Sequence, residues 1–121
     1  MISIIMGIYN CSATLEEALD SIIAQTYRDW ELIMCDDGST DSTYEVASRY
    51  IREHSDYKIK LLRHKSNQGL NRTLNDCLKE VQGEFVARMD ADDISLPARL
   101  EKELKAFEED PKLSIVSCPM I

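Results

Sequence analysis

The sequence predicts an α/β fold: a mostly parallel β-sheet with helices flanking it. Three observations lead there. Apolar runs of strand length alternate with helical apolar stripes along the whole chain. Polar residues gather just after each predicted strand, where open parallel sheets bind their ligands. The chain has 121 residues, 44% apolar and 30% charged, a balance that suits one packed domain spanning 1–121.

Element by element, residues 2–8 form a short, almost wholly apolar run, the mark of a strand covered on both faces. From Thr14 the period changes: Leu15, Ala18, Leu19, Ile22 and Ile23 share one helical stripe, and Thr14 with Glu17 has capping-box spacing. Residues 31–35 read as a second buried strand that empties into Asp36-Asp37-Gly38-Ser39. Asp41 or Ser42 then caps a helix whose inner side is Val46, Ala47, Tyr50 and Ile51. A more polar third strand covers 58–62. Gly69 opens a third helix, with Leu70, Leu74, Cys77, Leu78 and Val81 on its stripe and Gly83 at its C′ position. Residues 84–89 form a fourth strand running into Asp90-Ala91-Asp92-Asp93. Ser95 and Pro97 start a fourth helix facing inward through Leu100, Leu104 and Phe107, and 113–118 form a fifth strand.

Composition removes several functional classes. The net charge of -8 argues against a nucleic-acid partner, which needs a basic face. The cysteines at 11, 35, 77 and 118 contain no C-x-x-C pair, so zinc ribbons and dithiol redox motifs are excluded. Three of them lie inside apolar patterns and read as reduced core residues, which implies a reducing compartment. The N-terminal run has no basic flank, so it reads as a strand and not a signal peptide, and no stretch reaches the ~20 apolar residues of a membrane span.

Two acidic constellations carry chemistry. In Asp90-Ala91-Asp92 two carboxylates spaced i, i+2 at a strand end can face one ligand. Hard cations such as Mg²⁺ and Mn²⁺ choose such oxygens. The same residues equally describe an acidic helix start favoured by the macrodipole. In Asp36-Asp37-Gly38-Ser39 the glycine permits a sharp turn, and a carboxylate can accept the imide N–H of uracil; a plain turn before a capped helix fits as well. Tyr9 is placed to stack on a base or to pack at a strand end. Asn67-Gln68-Gly69 either lines the pocket or merely closes a loop onto a helix. His54 and His64 read as surface or loop residues, and Trp30 as packing.

Taken together, four segments resemble family 2 glycosyltransferases. They are residues 4–10, residues 31–41 with their Asp-Asp-Gly-Ser turn, the pair Asn67-Gln68-Gly69-Leu70 and Gly83-Glu84-Phe85, and residues 87–100 with Arg-Met-Asp-Ala-Asp-Asp-Ile-Ser-Leu-Pro. The last wording is particularly similar to bacterial members that assemble exopolysaccharide, capsule or O-antigen. The resemblance implies a Rossmann-like GT-A fold, truncated after the fifth strand, since family members are usually longer. It implies that Tyr9 packs against the base and that Asp37 hydrogen-bonds uracil with Asp36 nearby. Asp90 contacts the ribose or sugar, and Asp92 ligates Mn²⁺ or Mg²⁺ on the diphosphate. Asn67 and Arg72 are further candidates for the nucleotide wall, although relatives often carry arginine where this chain has Leu74 before Asn75.

The implied reaction is inverting transfer from a nucleotide-diphosphate sugar, UDP-linked, to a saccharide or lipid-linked acceptor in surface polysaccharide synthesis. The general base is expected beyond Ile121, in an acceptor-binding half. The expected location is the cytoplasm, with peripheral attachment at the inner face of the membrane. Two rivals stand beside this reading. One is a nucleotide-binding or interaction module without transfer. The other is a receiver-type signalling domain, which also alternates β and α and carries acidic strand ends.

Overall fold

The computed structural model describes residues 1–91 and the backbone of 115–116. In chain order the elements are β1 (Ile2–Ile8), α1 (Leu15–Ile23), β2 (Trp30–Asp37), α2 (Thr43–Glu53), β3 (Ile59–His64), α3 (Leu70–Leu78), β4 (Phe85–Arg88) and β5 (Ile115–Val116). They build one parallel sheet of order β3-β2-β1-β4-β5. The order reverses beside β1, between β2 on one side and β4 on the other, so the carboxyl end of β1 is the topological switch point. A receiver-type domain has the order 2-1-3-4-5, so the strand order removes that rival. The helix expected after Pro97, and most of the strand expected at 113–118, lie outside the described residues.

β1 and β2 are the sheet's interior. Every residue of β2 is buried, and every residue of β1 except Gly7, because helices cover both faces. Alternation sorts their side chains. Ile4, Met6, Ile8, Leu32 and Met34 meet α1 and α2 through Leu15, Leu19, Ile22, Ala47 and Tyr50. Ile5, Ile33 and Cys35 turn the other way and meet Cys77 of α3. The first cluster is the larger, and nearly all its members are closed to water. At about 25 cal/mol per Å² of apolar surface it supplies most of the burial energy.

Several element ends differ from expectation. β2 runs two residues further, so Asp36 and Asp37 pair with Arg63 and His64 within the ladder instead of sitting in a turn. The Thr14–Glu17 capping box does not form. Thr14 carries no side-chain cap; its hydroxyl donates to the carbonyls of Cys11 (3.4 Å) and Ala91 (3.3 Å), tying the start of α1 to the end of β4. Asp41 performs the capping at α2, accepting from the Thr43 amide (2.9 Å) and hydroxyl (2.5 Å), and these bonds hold its carboxyl down at about 2. Gly83 is not a helix C′ residue, for α3 ends at Leu78. It is glycine because a Cβ there would lie 2.6 Å from the Met1 carbonyl oxygen and 2.6 Å from Ser3 Oγ. That end of the sheet is closed by a buried polar chain. Gly83 N donates to Ser3 Oγ (2.8 Å), Ser3 Oγ donates to Glu31 Oε2 (2.6 Å), and Gln82 N donates to the same carboxylate oxygen (2.7 Å).

Candidate functional site

The carboxyl ends of β1, β2 and β4 open into two clefts that share Gly7 and Tyr9. The first, of about 220 Å³, is bounded by Gly7, Tyr9, Asp37, Asn67, Leu70 and Thr73, among others. The second, of about 380 Å³, is bounded by Tyr9, Asn10, Cys11, Thr14, Asp90 and Ala91. Tyr9 borders both clefts, 46% exposed, and Leu70, equally exposed, lines the first. Large apolar groups this open at a strand-end cleft suit a flat, partly apolar ligand. Gly7 provides the floor. A Cβ there would lie 2.9 Å from Leu70 Cδ1 and 3.2 Å from Thr73 Cγ2, so only glycine lets α3 approach this closely.

The adjacent aspartates of β2 face opposite sides of the sheet, as the two-residue period requires. Asp37 turns to the α3 side and into the first cleft. Its Oδ1 accepts from Gln68 N (2.8 Å) and His64 Nδ1 (2.9 Å), and its Oδ2 accepts from Gly69 N (3.0 Å). Burial pushes this carboxyl up, but the bonds from His64, Gln68 and Gly69 outweigh it and bring it below the usual carboxylate range. Thr73 adds a further favourable side-chain contact to the same carboxylate. Asp36 turns to the α2 side and lines neither cleft. It is fully buried, its Oδ1 accepting from Ser39 N (3.3 Å) and Ser39 Oγ (2.5 Å). Its Oδ2 has no hydrogen-bond donor among the described residues; Arg63 Nε stands 3.9 Å away, with the guanidinium over the Tyr44 ring at 4.1 Å.

Of the other expected site residues, Asn67 is exposed on the rim of the first cleft. Asp90 is on the rim of the second, with Arg88 Nη2 3.3 Å from its Oδ1. Arg72 lines neither cleft: it is exposed on α3 and pairs with Asp76 at 3.6 Å. Asp92 lies outside the described residues. The structure therefore brings Tyr9, Asp37, Asn67 and Asp90 to one edge of the sheet, and sets Asp36 and Arg72 apart from the cavity.

His64 corrects the sequence reading. It is not a loop residue but the last residue of β3, 9% exposed, lodged between two carboxylates. Nδ1 meets Asp37, and Nε2 meets Asp76 Oδ2 at 2.6 Å and Cys35 Sγ at 3.6 Å. His54 lies, as expected, in the turn that follows α2. It is half-buried, stacked on Tyr50 with ring centroids 4.0 Å apart. The strand period carried a signal for His64: it lies two residues beyond Leu62, which packs on the α3 side with Cys35. Trp30 packs as expected, stacked on Tyr57 at 5.6 Å. Cys11, Cys35 and Cys77 are unbridged, and burial raises their thiols, Cys35 to about 12 and Cys77 to about 11. These are packing groups, not nucleophiles.

The second cleft is bordered by a clasp between two loops. Asn10, at φ 47°, offers its side-chain carbonyl to Thr40 N (2.8 Å), and Asn10 N donates to Ser39 Oγ (3.0 Å). The Ser12 hydroxyl donates to Asp41 Oδ2 (2.9 Å), and Cys11 N to Thr43 Oγ1 (2.9 Å).

A parallel sheet with a cleft at its switch point, lined by apolar side chains and carboxylates, is an α/β domain of GT-A type with its candidate ligand site at the strand ends. The family model described as "Glycosyl transferase family 2" matches residues 3–121, and the chain belongs to that family. It is similar to "Putative glycosyltransferase EpsE" of Bacillus subtilis, at 46% identity over 99% of this chain and 43% of that protein. It is also similar to the Escherichia coli "UDP-Glc:alpha-D-GlcNAc-diphosphoundecaprenol beta-1,3-glucosyltransferase WfgD", at 39% identity over 86% of this chain and 40% of that protein. Among solved structures it matches the mannosyltransferase PcManGT of Pyrobaculum calidifontis, solved with GDP-Man and Mn²⁺. That match has a TM-score of 0.86 and 31% identity, over 93% of this chain and 33% of that one. The chain thus spans less than half the length of these relatives.

Proposed function

We propose that this chain binds a nucleoside-diphosphate sugar, UDP-linked, and forms the donor half of an inverting glycosyltransferase of bacterial surface polysaccharide synthesis. The acceptor is a saccharide or lipid-linked sugar. The observation that carries the reading is the first cleft. An exposed aromatic, Tyr9, and an exposed leucine, Leu70, both line it together with the almost buried carboxylate of Asp37. A planar base fits against such side chains, and its imide N–H matches Asp37, with Asn67 on the rim. The name of WfgD, which specifies UDP-Glc and a diphosphoundecaprenol-linked acceptor, supports both donor and acceptor.

The sugar and diphosphate then extend past Tyr9 into the second cleft, towards Asp90. The donors described there suit a hard cation: Asp90 offers carboxylate oxygen, and Cys11 beside it is kept a thiol by burial. No three or more His, Cys, Asp or Glu side chains gather to hold a metal among the described residues, so a cation would rest on few carboxylates and the ligand's phosphates. Asp92 is the proposed protein ligand, and Mn²⁺ or Mg²⁺ would supply charge neutralisation of the leaving diphosphate. The acceptor's proton goes to a carboxylate outside the described residues. Among those residues no helix is long and apolar enough to cross a membrane, and the unbridged cysteines support the cytoplasmic assignment, with peripheral contact at the membrane's inner face.

Calorimetry with UDP, with and without Mn²⁺, tests the proposal. The expected result is metal-dependent binding that Asp92→Ala abolishes while the melting temperature stays put. Wild-type binding by Asp92→Ala would remove the metal assignment. Binding of UDP-sugar without any turnover, in the chain or in a longer form of the protein, would assign a nucleotide-binding module instead.

A further inference from the structure

We infer that His64, clamped by Asp76, is a positioning residue for the base pocket: it holds Asp37 and, through Asp37, the Gln68–Gly69 turn that lines the first cleft, and so makes nucleotide binding pH-dependent. The inference rests on the reading of that cleft as a nucleotide pocket. The geometry carries it. Both ring nitrogens of His64 lie against carboxylate oxygens, Asp37 at 2.9 Å and Asp76 at 2.6 Å. A carboxylate only accepts, so both contacts are hydrogen bonds only when both nitrogens carry protons. The imidazolium is therefore the state this arrangement fits. Losing either proton sets a nitrogen lone pair against an anionic oxygen.

The groups that face the ring are few. From β2 come Asp37 and the Cys35 thiol, and from α3 comes Asp76. Behind Asp76 stand Lys79 Nζ at 3.3 Å and Arg72 Nε at 3.6 Å, both on its Oδ1, leaving Oδ2 to the histidine. This gives the exposed basic residues of α3 a task remote from the ligand: they steady the far end of the clamp. The near end is shared. Asp37 Oδ1 takes both the His64 proton and the Gln68 amide, and its partner oxygen takes the Gly69 amide. Gly69 sits at φ 95°, a backbone conformation glycine reaches without strain, and its amide points to Asp37 there. The hydrogen bonds His64 donates to Asp37 and then to Asp76 raise its pKa above the ordinary imidazole value.

The test pairs NMR with calorimetry. The His64 ring and the Gln68 and Gly69 amides are followed between about pH 5.5 and about pH 9, without ligand. Both amides are expected to shift with the ring's own midpoint, and Asp76→Asn is expected to lower that shared midpoint. UDP affinity should fall about tenfold across the same midpoint, the loss of one charge-assisted hydrogen bond. His64→Gln keeps a donor but no titrating proton, so its affinity should be flat across this range. Amides that stay still while His64 titrates would overturn the inference. So would a His64→Gln variant, or Asp76→Asn should the glutamine variant not fold, with the wild-type pH profile. If the amides follow His64 but no UDP binds at any pH, the clamp stands and the nucleotide reading falls.

Discussion

Asp37 shows how one nearly closed carboxylate can serve a fold and a ligand at once. Three donors converge on it from β3 and from the turn before α3. Replacing it with asparagine keeps the shape but turns one acceptor oxygen into a donor, which then meets an N–H, and leaves the His64 charge to Asp76 alone. Asp37→Asn should therefore lower the free energy of unfolding by about 3 kcal/mol, read by urea denaturation, and weaken UDP binding with it. A variant as stable as wild type would show that the three bonds are not all present in solution. The sequence marked Asp37 through its Asp-Asp-Gly-Ser turn but could not separate it from Asp36. Adjacent residues on a strand part company only once the strand is known to continue through both. His64 escaped for a related reason. A polar residue at the end of a weak strand, followed by Lys65-Ser66-Asn67, has the composition of a loop, and its two carboxylate partners come from other elements.

At the level of elements, the apolar runs located every strand among the described residues, because β1 and β2 are covered on both faces and can tolerate little else. Their ends were less legible. Ser3, Glu31 and Asp37 are polar yet buried and held by contacts from distant segments, while buried Asp36 is held by Ser39 three residues on. Two glycines separate packing from recognition. Gly83→Ala drives a Cβ onto the Met1 carbonyl, which is backbone, and should cost about 1–3 kcal/mol of stability while leaving UDP affinity alone. Gly7→Ala meets the exposed end of Leu70, which can swing away, and buried Thr73, which must give, so it should cost about 1–3 kcal/mol and narrow the first cleft. Its expected mark is weaker UDP binding in addition to that loss, which Gly83→Ala lacks. Chemical denaturation and calorimetry on both variants check the contrast, and equal effects on binding would refute it.

For the whole molecule, the Asp37–His64–Asp76 chain sets a pH window for stability. His64 is raised on folding, so its contribution is complete below its unfolded value, about 6.5, and fades as pH climbs through the folded value. Asp37 and Asp76 are lowered, so theirs is complete above about 3.9 and fades as pH falls through the folded values. Thermal unfolding should be most resistant between about pH 4 and 6.5, and His64→Gln should flatten the alkaline arm and weaken the acid arm, since His64 leads the bonds that lower both carboxylates. An alkaline arm unchanged in that variant would trace the loss to other groups. The sheet's overall order was not readable from any one segment. Alternation announces β-α-β units, while the placement of β4 beside β1 follows from which faces remain to be covered. One border of that sheet has a further consequence. Among the described residues β3 has a single neighbour, and Lys58, Lys60, Arg63 and Lys65 stand exposed along it. A second copy adding itself there, strand to strand, would set these cations against its own. The free backbone of β3 is thus guarded against self-pairing by four like charges on a molecule that is otherwise acidic.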